Sequence, residues 1–192
     1  MPMPSALQTS PAPLTADRIV TEALALMQEQ GLEALSLRRL AGRLGVQAMS
    51  LYWHIRNKED LLRLMGQKLF SDAMAGMGDQ QTWQDWGRAY GHRLWALYHS
   101  TRDAARLTFA LGHSEADFRS FAQDMAAQLA HYGLDAQQAV LLHSSVQALV
   151  IGWAGFDSSY GDKLGKLIPL QPAMTSSLDA LLRGLVDRME QS

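Results

Sequence analysis

"GVQAMSLYWHIRNKEDL", residues 45–61, sets Tyr52, Trp53 and His54 side by side on one short segment between Gly45 and Asn57. A core helix would carry Leu and Ala at these positions, and an exposed loop would carry Ser, Asp and Lys. The flanks supply the reason. Upstream, Ser36 is placed to cap a helix in which Leu37, Leu40, Ala41 and Leu44 form one apolar stripe, and Gly45 stops it. Earlier still, Thr15 caps a helix whose Ile19, Ala23, Leu26 and Met27 recur at helical spacing. Gly31 ends that helix in a left-handed conformation, with Leu32 as the hydrophobic contact beyond. Downstream, Asn57 caps a longer helix with Asp60 in a capping-box-like position and Leu61, Leu62, Met65 and Leu69 on its buried face.

The segment from about Gln47 to His54 then reads as a short helix of its own. Leu51 and Ile55, one turn apart, face inward. That leaves Gln47, Ala48, Ser50, Tyr52, Trp53 and His54 to share the outer surface. Helix, glycine turn and short helix make a helix-turn-helix, whose second helix enters the DNA major groove. Phenol and imidazole tips bond phosphate oxygens, and small residues such as Ala48 and Ser50 let a helix approach base edges. Lys58 and the amides of the next helix's first turn add a phosphate-binding corner. The competing reading makes the aromatic triplet a partly buried anchor between helices, and Trp53 is expected to serve partly in that way.

The formal net charge of −2 hides an asymmetry. Residues 36–68 hold seven Lys or Arg (Arg38, Arg39, Arg43, Arg56, Lys58, Arg63 and Lys68) against Glu59 and Asp60, whereas the rest holds 10 basic and 17 acidic residues. One basic working face on an acidic body is expected. No cysteine occurs among the 192 residues, which excludes disulfides, thiol nucleophiles and cysteine-ligated zinc. Residues 1–13 hold four of the six prolines and no charge, and read as a disordered leader rather than a signal peptide. No apolar run reaches the ~18–20 residues of a membrane span. The expectation is a cytoplasmic protein without membrane attachment.

Strand signals are nearly absent, so the fold class is all-α: a helix-turn-helix domain over 14–60, then a larger helical domain over 61–192, which the resemblance described below makes the ligand-binding and dimerisation domain. Its helices are expected near 82–99, 102–111, 115–131, 135–156 and 174–190, with a long loop over 157–172. The apolar stripe of Val146, Val150 and Trp153, with Leu178, Leu182 and Leu185, exceeds what two surface helices need. A four-helix dimer interface accounts for the surplus.

The run from Leu14 to Leu62 resembles the N-terminal domain of the TetR family of transcriptional repressors. Its G-V-x-x-x-x-L-Y-W-H-hydrophobic-x-N-K signature is close to the tetracycline repressors, and the likeness continues through "TWQDWGRAYGHRLWALYHSTRDAARL" and "HYGLDAQQAVLLHSSVQALVIGWAGF". The resemblance implies a homodimer that represses by occupying a palindromic double-stranded operator and leaves when a small effector binds its C-terminal domain. By position, Arg38 matches an arginine that reads a guanine, and Ser50, Tyr52, Trp53, His54 and Lys58 match residues that contact DNA. Two positions depart: Ala48 stands where tetracycline repressors carry a base-reading glutamine, and Met49 where they carry proline. A different operator follows, because a methyl group cannot bond adenine.

The matching effector-pocket positions are Met74, Tyr90, Leu94, Thr108, Leu111, His143 and Gln147, a mostly apolar set with a few polar anchors. Thr108 stands where tetracycline repressors carry a magnesium-binding histidine, and Phe156 where they carry an acidic residue that assists the ion. Magnesium-tetracycline is therefore not the expected inducer, and no cofactor or metal is expected. The histidines show no metal-ligand spacing. Ser144 and Ser145 lack the context of a catalytic serine, so no enzymatic activity is expected.

Overall fold

The structure is a computed structural model that describes residues 13–78, 80–110 and 115–189, the side chains of 187–189 excepted. The expected leader over 1–13 lies almost wholly outside the described residues. Among these residues there are nine α-helices and no strand: α1 Ala16–Gln30, α2 Leu37–Leu44, α3 Ala48–Leu51, α4 Lys58–Met74, α5 Trp83–Ser100, α6 Ala104–Ala110, α7 Glu115–Leu129, α8 Ala136–Leu164 and α9 Leu170–Met189.

The local signals act as their chemistry requires. Thr15 Oγ1 accepts from Arg18 N–H at 3.2 Å, and Ser36 Oγ accepts from Arg39 N–H at 3.3 Å. Gly45 adopts the left-handed conformation (φ 69°, ψ 28°), and Val46 N–H returns to the Ala41 carbonyl at 3.0 Å, which closes the end of α2. Gly31 has positive φ (87°) but an extended ψ of 162°, so it redirects the chain instead of curling it.

Ile19, Met27, Leu40, Leu51, Ile55, Leu61 and Met65 close a buried core under the helix-turn-helix, and Leu107 of α6 enters the same core. The corner between α5 and α6 is the seat of this unit. Asp103 sits at positive φ (58°), and its carboxylate accepts the Leu32 N–H at 2.8 Å. Arg102 N–H donates to Gln28 Oε1 at 2.8 Å, and Arg106 pairs with Glu33 at 2.8 Å. Nothing in the periodicity of the sequence signalled this clamp.

The second core lies where α8 packs against α5, α7 and α9. Gly87 and Gly91 of α5 permit the close approach of α9: a Cβ at Gly87 would lie 2.7 Å from Leu182 Cδ2, and one at Gly91 2.6 Å from Leu178 Cδ2. Most of the expected loop over 157–172 is helix, for α8 continues to Leu164 and α9 begins at Leu170, which leaves only 165–169 between them. The Ser-, Gly- and Pro-containing composition misleads there for two physical reasons. Asp157 is held to α5 by His99 Nδ1 at 2.8 Å, which supports the added turns. Pro172 falls in the first turn of α9, where a missing N–H has no intrahelical partner to lose. Contrary to the expectation about apolar runs, α8 is long and apolar enough by length and composition to cross a membrane (mean hydropathy 1.5). It carries the buried His143 and forms the spine of the helical core.

Replacing Gly91 by Ala should lower stability by about 1–3 kcal/mol despite alanine's better helix propensity, because the fully buried Leu178 has nowhere to move. Urea unfolding would show this as a lower midpoint at unchanged slope.

Candidate functional site

The outer rim of the helix-turn-helix is built by a corner rather than by a long helix. Regular α-helix ends at Leu51, and residues 52–54 continue as turns, with His54 N–H and Ile55 N–H both reaching the Leu51 carbonyl at 2.9 Å. The helix expected to run to His54 is shortened because Asn57 must be fully extended (φ −163°, ψ −178°) to cap α4. Its Oδ1 accepts the Asp60 N–H at 2.8 Å. Asp60 in turn accepts the Arg56 N–H at 3.0 Å, and its carboxylate meets the Arg63 guanidinium at 2.7 Å and that of Arg56 at 3.3 Å. These contacts, the backbone hydrogen bond first, hold the buried Asp60 carboxyl well below the usual carboxylate range.

Leu51 and Ile55 are fully buried, as their spacing demands. Arg38, Gln47, Ala48, Met49, Tyr52, Trp53, His54 and Lys58 are exposed on the outer side, with Ser50 half-buried. Trp53 is 87% exposed, which overturns its expected part as an inter-helix anchor. The rings thus stand out from the surface on a pinned corner.

The basic face is narrower than seven cations. Arg43 is held by Glu29 at 2.6 Å and Glu22 at 2.8 Å, both on α1, and Lys68 is held by Asp72 at 2.8 Å. Arg56 and Arg63 are occupied by Asp60, and Arg39 donates to the Ala34 carbonyl at 3.2 Å. Among the described residues Arg38 and Lys58 stand exposed beside the aromatic corner, clear of these pairs.

Below this rim a cavity of about 540 Å³ opens between α4, α5, α6, α7 and α8. Of the expected pocket residues, Thr108, His143 and Gln147 line it. Tyr90 lies behind His143, its hydroxyl 2.6 Å from Nε2. Leu94 is wholly buried in the second core and Met74 packs against that core, so neither forms cavity wall. Leu111 lies outside the described residues. The wall that periodicity missed is aromatic: Phe70 of α4, Tyr98 of α5, and Phe118 and Phe121 of α7. Phe118 and Phe121, three apart in a helix with few buried positions, were the available signal. Burial pushes the Tyr98 hydroxyl's proton affinity up, against hydrogen bonds with Thr108 and Gln147, which line the same cavity. Arg63, the partner of Asp60, also lines the cavity.

The expected dimer residues Val146, Val150, Leu178, Leu182 and Leu185 are buried within the single chain, and α5 lies over Val146, Leu178 and Leu182 through Gly87 and Gly91. Trp153 is only half-buried.

Comparison with known proteins agrees with this layout. The family model "Bacterial regulatory proteins, tetR family" matches residues 19–65. The class A tetracycline repressor from transposon 1721 of Escherichia coli is 31% identical over 179 residues, which span 87% of this chain and 81% of that protein. The chain belongs to the tetR family. The class E tetracycline repressor of Escherichia coli is 28% identical over 145 residues, 73% of this chain and 67% of its own length. Among solved structures, a TetR variant from Acinetobacter baumannii AYE in complex with minocycline matches at a TM-score of 0.75 and 25% identity, covering 92% of this chain and 99% of that one. This tetR-family regulator therefore carries an N-terminal helix-turn-helix domain on a C-terminal helical domain.

His143 gives the site a pH signature. Burial pushes its imidazole down to about 4 from the ordinary 6.5. The unfolded chain binds the extra proton between these values, so stability rises with pH across that window. It is fully present above 6.5 and lost as pH falls through 4. The loss amounts to roughly 3 kcal/mol. Urea midpoints measured from pH 4 to pH 7 should show this rise, and His143→Leu should flatten it.

Proposed function

We propose that the protein is a ligand-responsive transcriptional repressor that binds a palindromic operator as a homodimer and is released by a small molecule in the cavity. The observation that carries the reading is the sharing of α4. Its first turn pins the aromatic corner through Asn57 and Asp60, while Arg63 and Phe70 further along line the cavity. A ligand that moves α4 moves the corner. Half-sites about one turn apart, ~34 Å, must be met by both recognition helices together, so a small tilt of α4 lowers operator affinity. The effector must bind the tilted form more tightly for this to happen.

Arg38 and Ala48 face base edges in this reading, and Tyr52, Trp53, His54 and Lys58 hold the backbone. Residues 14–60 act as the DNA-binding unit and 61–192 as the effector and dimer unit. The protein works in the cytoplasm as a binding protein rather than an enzyme.

The dimer face we assign is the outer side of α8 and α9. Ala148, Gly152 and Gly155 on α8, and Ser176, Ala180 and Gly184 on α9, are exposed, and nothing lies within 4 Å of a Cβ built at Gly152, Gly155 or Gly184. Glycine inside a helix costs roughly 1 kcal/mol relative to alanine. Packing within the chain gives no reason for these three, whereas close approach of a partner's helices does.

Selection of bound duplexes from a random DNA pool tests the main reading. A palindrome enriched at fixed spacing is expected, and no enrichment by folded protein at low salt would sink it. With that operator, Arg38→Ala should cost ~1–3 kcal/mol and relax one base position, while Lys58→Ala should weaken all sequences alike and reduce the salt slope by about 1. Gly152→Trp should shift the protein from dimer towards its 21.2 kDa protomer in sedimentation with its helical content intact. A dimer that survives the change would place the interface elsewhere.

A further inference from the structure

One residue of the cavity wall carries a buried polar atom that the fold leaves unanswered. His143 is 4% exposed, and its Nδ1 is the one buried side-chain nitrogen or oxygen without a hydrogen-bond partner among the described residues. The Tyr90 hydroxyl, 2.6 Å from Nε2, settles the proton positions. The phenol is buried and that nitrogen is its hydrogen-bond partner. Were Nε2 protonated, it would donate to the phenol oxygen, and the phenol proton would then be stranded together with the Nδ1 lone pair. With the phenol donating to Nε2, only Nδ1–H is left over. Burial keeps the ring neutral at physiological pH. His143, in the cavity wall, therefore holds a neutral, fixed N–H donor beneath the cavity surface.

The surroundings restrict what can meet it. Tyr90 and Phe121 flank the imidazole with ring centroids each 4.8 Å away, and Phe70 stands at 6.2 Å. Phe118, 60% exposed, lines the same cavity. Such walls favour flat rings, which pack edge-on or offset against them. A plain hydrocarbon leaves the donor orphaned, and an ammonium group would present hydrogens to a hydrogen. A carbonyl oxygen satisfies it.

We propose that His143 Nδ1–H is the specificity-determining donor of this cavity, and that the effector is a flat aromatic molecule presenting a carbonyl oxygen to it. Nδ1 is closed to water in the free chain, so the ligand reaches it by displacing the Phe121 ring, which packs edge-on and is only half-buried. The inference rests on the reading of this cavity as the effector site.

Fluorenone and fluorene, the same three rings with and without a carbonyl, separate the two ideas by equilibrium dialysis against the full-length protein. The wild type should hold fluorenone about tenfold more tightly, the size expected for a hydrogen bond to an otherwise unpaired buried donor. His143→Leu should lose that preference while holding fluorene at least as well. His143→Asn, whose amide nitrogen falls near the Nδ1 position, should keep it. Equal binding of both probes by the wild type, or a preference that survives in His143→Leu, would overturn the donor while leaving the effector cavity intact. Binding of neither probe would overturn both. Independently, ¹⁵N spectra of histidine-labelled protein at pH 7 should show a proton on Nδ1 and none on Nε2 of His143, and the reverse tautomer refutes the inference.

Discussion

The carboxylate of Asp60 is the point on which the geometry of the DNA-facing end depends. Two residues meet it, Arg56 through its N–H and guanidinium and Arg63 through its guanidinium, while Asn57 caps the backbone N–H of Asp60 itself. A buried carboxylate left unpaired would be costly, and here every strong acceptor direction is met by a donor. The result is a rigid joint between an exposed aromatic corner and a long helix. Because Arg63 also lines the cavity, the same carboxylate lies one side chain from the proposed effector and, through the Arg56 N–H, two residues from His54 of the aromatic corner.

Packing divides the glycines of the helical body into two kinds. Gly87 and Gly91 are occupied on their open side by Leu182 and Leu178, so they exist to bring α9 onto α5. Gly152, Gly155 and Gly184 meet nothing in their own chain. This difference moves the proposed dimer face away from the most apolar residues of α8 and α9. Those residues are already enclosed, and the surface that remains is made of small side chains that allow helices to come close.

Charge follows the same logic. Seven cations in residues 36–68 suggested a broad basic face, but acids brought in by α1 and α4 tie down Arg43, Arg56, Arg63 and Lys68. What is left to meet a phosphate backbone is concentrated near Arg38 and Lys58, beside the rings. A small number of unpaired cations next to a pinned aromatic corner favours defined docking over diffuse attraction.

Much of the fold was legible in the sequence, because its signals are local. Caps at Thr15, Ser36 and Asn57, the glycine turn at Gly45, and the inward pair Leu51 and Ile55 each depend on residues within one or two turns. The same locality made the outer face of the helix-turn-helix readable residue by residue. What failed depends on contacts far apart in the chain. Trp53 reads as partly an anchor until the corner is seen to leave it on the outside, and Val146 and Leu178 read as interface until α5 is found lying over them. The helical course of 157–164 rests on a histidine in another helix, and the aromatic wall of the cavity comes from three separate helices. Periodicity along the chain reports which face of a helix is apolar. Only the packing of helices distant in sequence decides which neighbour covers that face, and which buried nitrogen is left without a partner in a cavity wall.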